Sequence, residues 1–212
     1  MGKKIKKIGL FGGTFDPVHL GHLLIADAVR ERMDLNKVVF IPSARPPHKC
    51  DDIMFNAEER YRMLLLAVED DPGFMVSDIE MSRKGFSFTI DTIREMKATF
   101  PRDAEIYFIV GMDNLYDIDN WKDSHDIIRE CRFLVAKRVC DNCKEIPGWL
   151  RENVELVDVP IIEISSSDIR RRIRDGRSIR YLVPPVIWNE IQSITLKNKK
   201  TCNEKNNTGT HF

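Results

Sequence analysis

The stretch GLFGGTFDPVHLGH, residues 9 to 22, decides how the chain is read. Residues 5 to 11 make a short β-prone apolar run behind a lysine-rich N-terminus, and from His19 onward apolar residues recur at helical spacing through Leu20, Leu23, Leu24 and Val29. The junction predicts a strand, a tight turn and a helix. Gly12 and Gly13 are expected to let the backbone turn sharply and to present bare amides, while a helix starting near Pro17 or His19 aims its positive dipole end into the same space. Such a place favours an anion, phosphate above all.

Beyond this junction, apolar β-type runs at about residues 37 to 41, 74 to 77, 105 to 110, 132 to 136 and 154 to 158 alternate with helical patterns near 19 to 33, 56 to 69, 89 to 98 and 122 to 130. A βα repeat of this kind predicts an α/β domain with a doubly wound, mostly parallel sheet and helices on both faces, ligands sitting beyond the C-terminal strand ends. After residue 160 the pattern turns helical: ISSSDIRRRIRDG opens on serines suited to capping and closes on Gly176, and PPVIWNEIQSI starts another helix after prolines. Residues 197–212, KNKKTCNEKNNTGTHF, are polar and aperiodic and read as a frayed tail without function, which leaves residues 1–196 as one domain.

At 212 residues, 42% hydrophobic and 31% charged, the chain is long enough for one sizeable core. Thirty-three basic residues balance thirty-three acidic ones, so no global field favours nucleic acid or an anionic membrane, and any basic site is local. No apolar run approaches membrane-spanning length, and the N-terminus lacks the apolar length and small-residue cleavage site of a signal peptide; the expected location is cytoplasmic. Five cysteines, odd in number and unevenly spaced, read as free thiols. Cys140 and Cys143 have the spacing of half a zinc site, but no second pair follows, and a polar loop that holds two cysteines is the preferred reading.

His19 and His22 stand three apart in the first helical turn, so they share a face, with Gly21 removing bulk between them. Both can donate N–H groups to phosphate oxygens. Taken alone, such a pair is more often an ordinary surface helix start; GGTFDP immediately before it reverses that preference. The serines of ISSSDIR leave helix-start amides free for anions, and Arg170 on the first turn can reach the same anion, whereas Arg171, Arg172 and Arg174 are expected to face water. ARPPHK is a proline-stiffened loop after a strand that holds His48 and Lys49 as a positive arm. GMDN follows the run IYFIV, which puts Gly111 and Asp113 at a strand's C-terminal end, where Asp113 could equally cap the next helix. Trp121 reads as a core aromatic or as a ring-stacking platform.

Taken together, GGTFDPVHLGH and ISSSDIR resemble the two signatures of the HxGH nucleotidylyltransferase superfamily. PSARPPHK, SRKGFSFTIDTI, GMDNLYDIDNW and YLVPPVIWNEI, in that order between residues 42 and 191, narrow the resemblance to the nicotinate-nucleotide adenylyltransferases. The resemblance covers residues 8 to about 194 and implies a Rossmann-like domain that transfers AMP from ATP to nicotinate mononucleotide, releasing pyrophosphate. It implies catalytic roles for His19, His22 and Arg170, and ATP contacts from Gly12, Gly13, Thr14, Phe15, His22, Gly111, Asp113, Ile164, Ser165, Ser166 and Arg170. It also implies Mg²⁺ arriving with ATP and no metal site of the protein's own. His48, Lys49, Ser87, Phe88, Thr89, Asp91, Tyr116, Trp121 and Arg138 are the implied contacts to the mononucleotide. Phe88 stands where the family usually has Tyr, and Ser167 where Thr is common.

Other readings are a superfamily enzyme acting on nicotinamide mononucleotide or a pantetheine phosphate, against which FSFTIDT and GMDN…W argue. A dinucleotide-binding module without transfer activity expects a G-x-G-x-x-G turn, and GLFGGTFD lacks that spacing. A nucleic-acid binder has only residues 170–177 as a dense basic segment. A homo-oligomer is compatible with the sequence, which does not fix the oligomeric state.

Overall fold

The computed structural model describes residues 6–46, 53–138 and 146–207. Six strands, β1 (Lys7–Gly13), β2 (Lys37–Pro42), β3 (Phe74–Val76), β4 (Glu105–Gly111), β5 (Arg132–Arg138) and β6 (Val154–Val159), form one sheet in the order β3-β2-β1-β4-β5-β6. Every pairing is parallel, so the expected mostly parallel sheet is parallel throughout the described residues. Strands such as KVVFIP and EIYFIVG are β-branched and aromatic along their whole length because both of their faces are covered.

Alternate side chains feed two apolar layers. Phe11, Phe40 and Ile109 face α1 (Leu20–Arg32), α2 (Ala57–Val68) and α7 (Pro185–Asn207), where Met63, Leu64, Ile187 and Ile191 complete the layer. Leu10, Val39, Ile41 and Phe108 face α3 (Thr89–Thr99), α4 (Met112–Tyr116) and α5 (Ser124–Glu130), meeting Ile90, Ile93, Leu115 and Ile127. In α1 the buried positions are Gly21, Ala26 and Val29, while Leu20 is exposed. α6 (Ser166–Arg174) follows β6 and returns the chain toward the N-terminal turn.

Two boundaries differ from expectation. α4 and the 3-10 turn Ile118–Asn120 precede α5, breaking the segment after β4 into short pieces too brief to show a helical period. α7 runs on through Asn207, where residues 197–212 were expected to fray. No glycine or proline interrupts it before Gly209, and extending an existing helix adds a hydrogen bond per residue without the cost of nucleation. No helix among the described residues is long and apolar enough to cross a membrane.

The strand order reverses beside β1, which has β2 on one side and β4 on the other. Crevices open at such switch points, outside the carboxyl ends of the strands. Gly13 ends β1 and Gly111 ends β4 at this edge.

Candidate active site

Two cavities meet at the switch point. The larger, about 610 Å³, lies under α1 and α6; the smaller, about 450 Å³, lies between β4 and the start of α3. Gly12, Gly13, Thr14 and Asn114 line both and form their common wall.

Gly12 and Gly13 do not make the turn. They are extended residues of β1, in register with Ile41 and Pro42 of β2. Their lack of a side chain serves close approach: a Cβ on Gly13 would stand 3.0 Å from the Phe15 ring, and one on Gly12 would stand 3.2 Å from Phe108. The reversal falls to Thr14–Pro17, where Phe15 takes a left-handed φ of 49°. The Phe15 ring then packs edge-on against His22, 4.9 Å between centroids.

α1 starts at Leu20 with His19 as its N-cap. Each imidazole accepts the other residue's backbone N–H at Nδ1, and the rings stack 3.7 Å apart. A nitrogen that accepts an N–H carries no proton, so each neutral ring is protonated at Nε2. Burial pushes the His19 pKa down to about 4, which keeps that ring neutral at neutral pH. Both residues line the larger cavity.

α6 reaches the same cavity from the other end of the chain. Ser165 caps it by accepting the Asp168 N–H at 3.1 Å, and the Ser166 hydroxyl donates to the Pro17 carbonyl at 3.0 Å. The serine hydroxyls therefore hold the helix in place, leaving its N-terminal amides as the anion donors. Arg170 is 8% exposed and donates to the Asp16 carbonyl at 3.0 Å and to the Ser167 hydroxyl at 3.2 Å. Its Nε lies 3.6 Å from the Asp16 carboxylate. Arg171 and Arg172 pair with Asp168 at the surface, and these pairs hold its carboxyl below the usual range, Arg172 most.

Every residue assigned to ATP lines the larger cavity: Gly12, Gly13, Thr14, Phe15, His22, Gly111, Asp113, Ile164, Ser165, Ser166 and Arg170, with His19 beside them. Gly111 is the N-cap of α4, so Asp113 sits inside its first turn and is not its cap. Ser87, Phe88, Thr89 and Trp121 line the smaller cavity. Trp121 packs edge-on against Phe108 at 6.2 Å and also lines the smaller cavity.

Asp91 and Tyr116 line neither cavity. Asp91 is turned outward on α3 and pairs with Lys122 at 3.2 Å; it is Lys122 that lines the cavity, its Nζ 4.7 Å from the centre of the Phe88 ring. Tyr116 ends α4 and packs into the apolar layer. Arg138 ends β5. His48, Lys49, Cys140 and Cys143 lie outside the described residues.

Three residues went unnoticed in the sequence. Asn114 lies in the common wall. Glu80, 7% exposed, borders the smaller cavity and accepts from Ser43 at 3.2 Å and from Thr92 at 2.7 Å. Arg60 is 1% exposed, and burial pushes its guanidinium pKa down, opposed by the charges of Asp16 and Glu80. Its position offered a signal: it shares the inward stripe of α2 with Met63, Leu64 and Val68, where a charge is out of place unless it is paired.

Among the described residues no three His, Cys, Asp or Glu side chains converge as a metal cage. Asp16, the buried carboxylate that lines the larger cavity with the histidines, is committed to the Met54 and Phe55 N–H groups, at 2.8 and 2.9 Å, and to Arg170.

Comparison with known proteins adds an independent line. Residues 10–172 match the model of the family described as cytidylyltransferase-like. A protein of Moorella thermoacetica named "Probable nicotinate-nucleotide adenylyltransferase" is 41% identical over 194 residues, 88% of this chain and 89% of that one. One of the same name from Thermus thermophilus is 44% identical over 185 residues, 85% of this chain and 94% of that one. Among solved structures, the nicotinic acid mononucleotide adenylyltransferase of Plasmodium falciparum complexed with NaAD superposes with a TM-score of 0.74 at 20% identity, over 91% of this chain and 98% of that one. At that identity the last likeness speaks to the fold alone.

Proposed function

The chain belongs to the nicotinate-nucleotide adenylyltransferases within the cytidylyltransferase-like family, and from that premise we propose how its two cavities transfer AMP from ATP to nicotinate mononucleotide, giving nicotinate adenine dinucleotide and pyrophosphate. The observation that carries this reading is the common wall: two cavities, each large enough for a nucleotide, touch at Gly12, Gly13, Thr14 and Asn114. A reaction that joins two phosphates needs the two substrates to meet at such a place.

No protein nucleophile is required. A phosphate oxygen of the mononucleotide attacks the α-phosphorus of ATP, the bond from that phosphorus to the bridging oxygen breaks, and the electron pair leaves with pyrophosphate. The barrier lies in aligning two polyanions and in stabilising the charge that builds on the leaving oxygens. In our reading His19, His22 and Thr14 hold the α- and β-phosphates through Nε2–H and hydroxyl donors, and the amides at the start of α6 with Arg170 hold the far end. The smaller cavity takes the mononucleotide, its ring on Trp121 and its carboxylate toward the polar groups of Ser87 and Thr89. A divalent cation, Mg²⁺ in this reading, would arrive with the nucleotide and supply neutralising charge.

The test is pyrophosphate release from ATP with nicotinate mononucleotide, nicotinamide mononucleotide and phosphopantetheine in turn. A carboxylate accepts from donors that would leave an amide NH₂ unpaired, so the acid should be preferred in kcat/KM by about 10² or more. Equal values, or preference for the amide, would overturn the acceptor assignment and leave the transfer chemistry standing.

A further inference from the structure

Arg60 stands on α2, away from both cavities, yet it donates to three separate stretches of backbone that lead to them. Its guanidinium reaches the carbonyls of Thr14 at 2.7 Å, Phe55 at 3.1 Å and Ala44 at 3.5 Å. Each of these positions leads directly to a wall of the site. Thr14 belongs to the common wall itself. Ala44 sits between Ser43, which donates to Glu80, and Arg45, whose backbone exchanges bonds with Ser87 in both directions, Arg45 N–H to the Ser87 hydroxyl at 3.4 Å and Ser87 N–H to the Arg45 carbonyl at 3.1 Å. That stretch carries the smaller cavity. Phe55 donates its N–H to Asp16, whose carboxylate pairs with Arg170, and so leads to the larger one.

We propose that Arg60 is a positioning residue for the transfer step: its planar fork fixes the acceptor half of the site against the ATP half, and so sets the alignment of the attacking oxygen with the α-phosphorus. The inference rests on the two-cavity reading of the function. A structural arginine alone is a poor explanation. An isolated buried charge is costly, and an apolar side chain of similar volume fills such a place at least as well. What an apolar side chain cannot supply is several donors in one rigid plane, aimed at carbonyls on three different segments. Asp16 and Glu80, one under each cavity, supply the balancing charge.

Two substitutions separate the fork from its parts. Arg60→Lys keeps the charge and loses the plane; Arg60→Gln keeps a short planar amide and loses the charge and reach. In variants that retain a cooperative melting transition, kcat should fall about 10²-fold, the cost of misplacing reacting groups by about an ångström. The dissociation constants of a non-hydrolysable ATP analogue and of nicotinate mononucleotide, each measured alone by calorimetry, should change less than about 5-fold, since each cavity keeps its own lining. Unchanged kcat in a folded variant, near-normal kcat in Arg60→Lys, or losses of affinity that match the loss of kcat would each overturn the proposal. So would the failure of both variants to fold, which would make Arg60 a stability residue. A wild-type protein that releases no pyrophosphate with the mononucleotide would instead defeat the functional reading beneath it.

Discussion

His19 and His22 bond to each other twice, each Nδ1 accepting the other's backbone N–H at 3.3 Å. A capping box normally pairs an oxygen-bearing N-cap with a glutamate or glutamine. Here imidazoles fill both places. The bonds that cap the start of α1 also set the tautomer, leaving each ring's Nε2 as its N–H donor.

Replacing His22 by Ala removes one such donor together with its half of the cap. We expect kcat for pyrophosphate release to fall by about 10² or more, in the range seen when a donor to developing charge is lost. The melting curve should remain cooperative. Normal turnover in the folded variant would take His22 out of the mechanism.

Gly21 lies between the two rings' positions, and a Cβ there would stand 3.1 Å from Cε1 and Nδ1 of His19. The imidazole must then give by a few tenths of an ångström, which disturbs its stack on His22. Ala at position 21 is a good helix residue, so local helix stability should not fall through propensity. Activity should drop roughly tenfold or more, because a donor aimed at phosphate loses its alignment. Full activity of Gly21→Ala would show that the stack is not needed for transfer.

Arg170 and Arg172 share a helix and differ in burial. Arg170→Ala should weaken ATP binding by about 1.5–3 kcal/mol, the range for hydrogen bonds to charged groups. It should also cost about 3 kcal/mol of stability, the low end for breaking a buried pair, because Asp16 keeps its two backbone donors. Arg172→Ala removes a surface pair with Asp168 and should stay within about 0.5 kcal/mol on both measures. Equal effects at the two positions, by calorimetry and urea unfolding, would mean a diffuse basic patch.

The buried His19 ring predicts an acid limit. Its pKa is near 4 in the folded protein against 6.5 for the free side chain, so the unfolded chain binds the extra proton first as pH falls. Stability is unaffected by this ring above about pH 6.5 and declines between there and about pH 4, by a total on the order of 3 kcal/mol. Asn at position 19 keeps a cap acceptor and cannot titrate. Urea unfolding from pH 7 to 4 should therefore show a steeper loss for the wild type than for His19→Asn, and parallel curves would refute the assignment.

The sheet was readable because its strands are apolar along their length and separated by amphipathic helices, and β2, β3, β4, β5 and β6 all begin at the expected residues. The residues picked out for their chemical type, His19, His22 and Arg170, do come together around one cavity. The site was misread where chemistry depends on conformation. Gly12 and Gly13 look like turn residues but serve as a flat strand end beneath aromatic rings, a distinction held by Phe15 and Phe108 and not by the glycines themselves. Asp91 and Tyr116 belong to the right segments with the wrong outlook, since which way a residue points on a short helix follows from how that helix docks. Arg60 and Glu80 form contacts across long stretches of chain, to Thr14 and Ala44 and to Ser43 and Thr92, and no local pattern announces them.

Arg170 joins Asp16 across 154 positions of sequence, and Ser166 joins Pro17 across 149. During synthesis the ribosome delivers the histidine pair early and its opposing helix late, at roughly 5–20 residues per second. A nascent chain that already displays GGTFDPVHLGH thus has only part of the larger cavity's lining, and the rest arrives when α6 emerges. Completion of the larger cavity in this sense waits on α6: chains truncated before residue 166 retain all six strands and the first motif, but they lack the clasp that closes the turn.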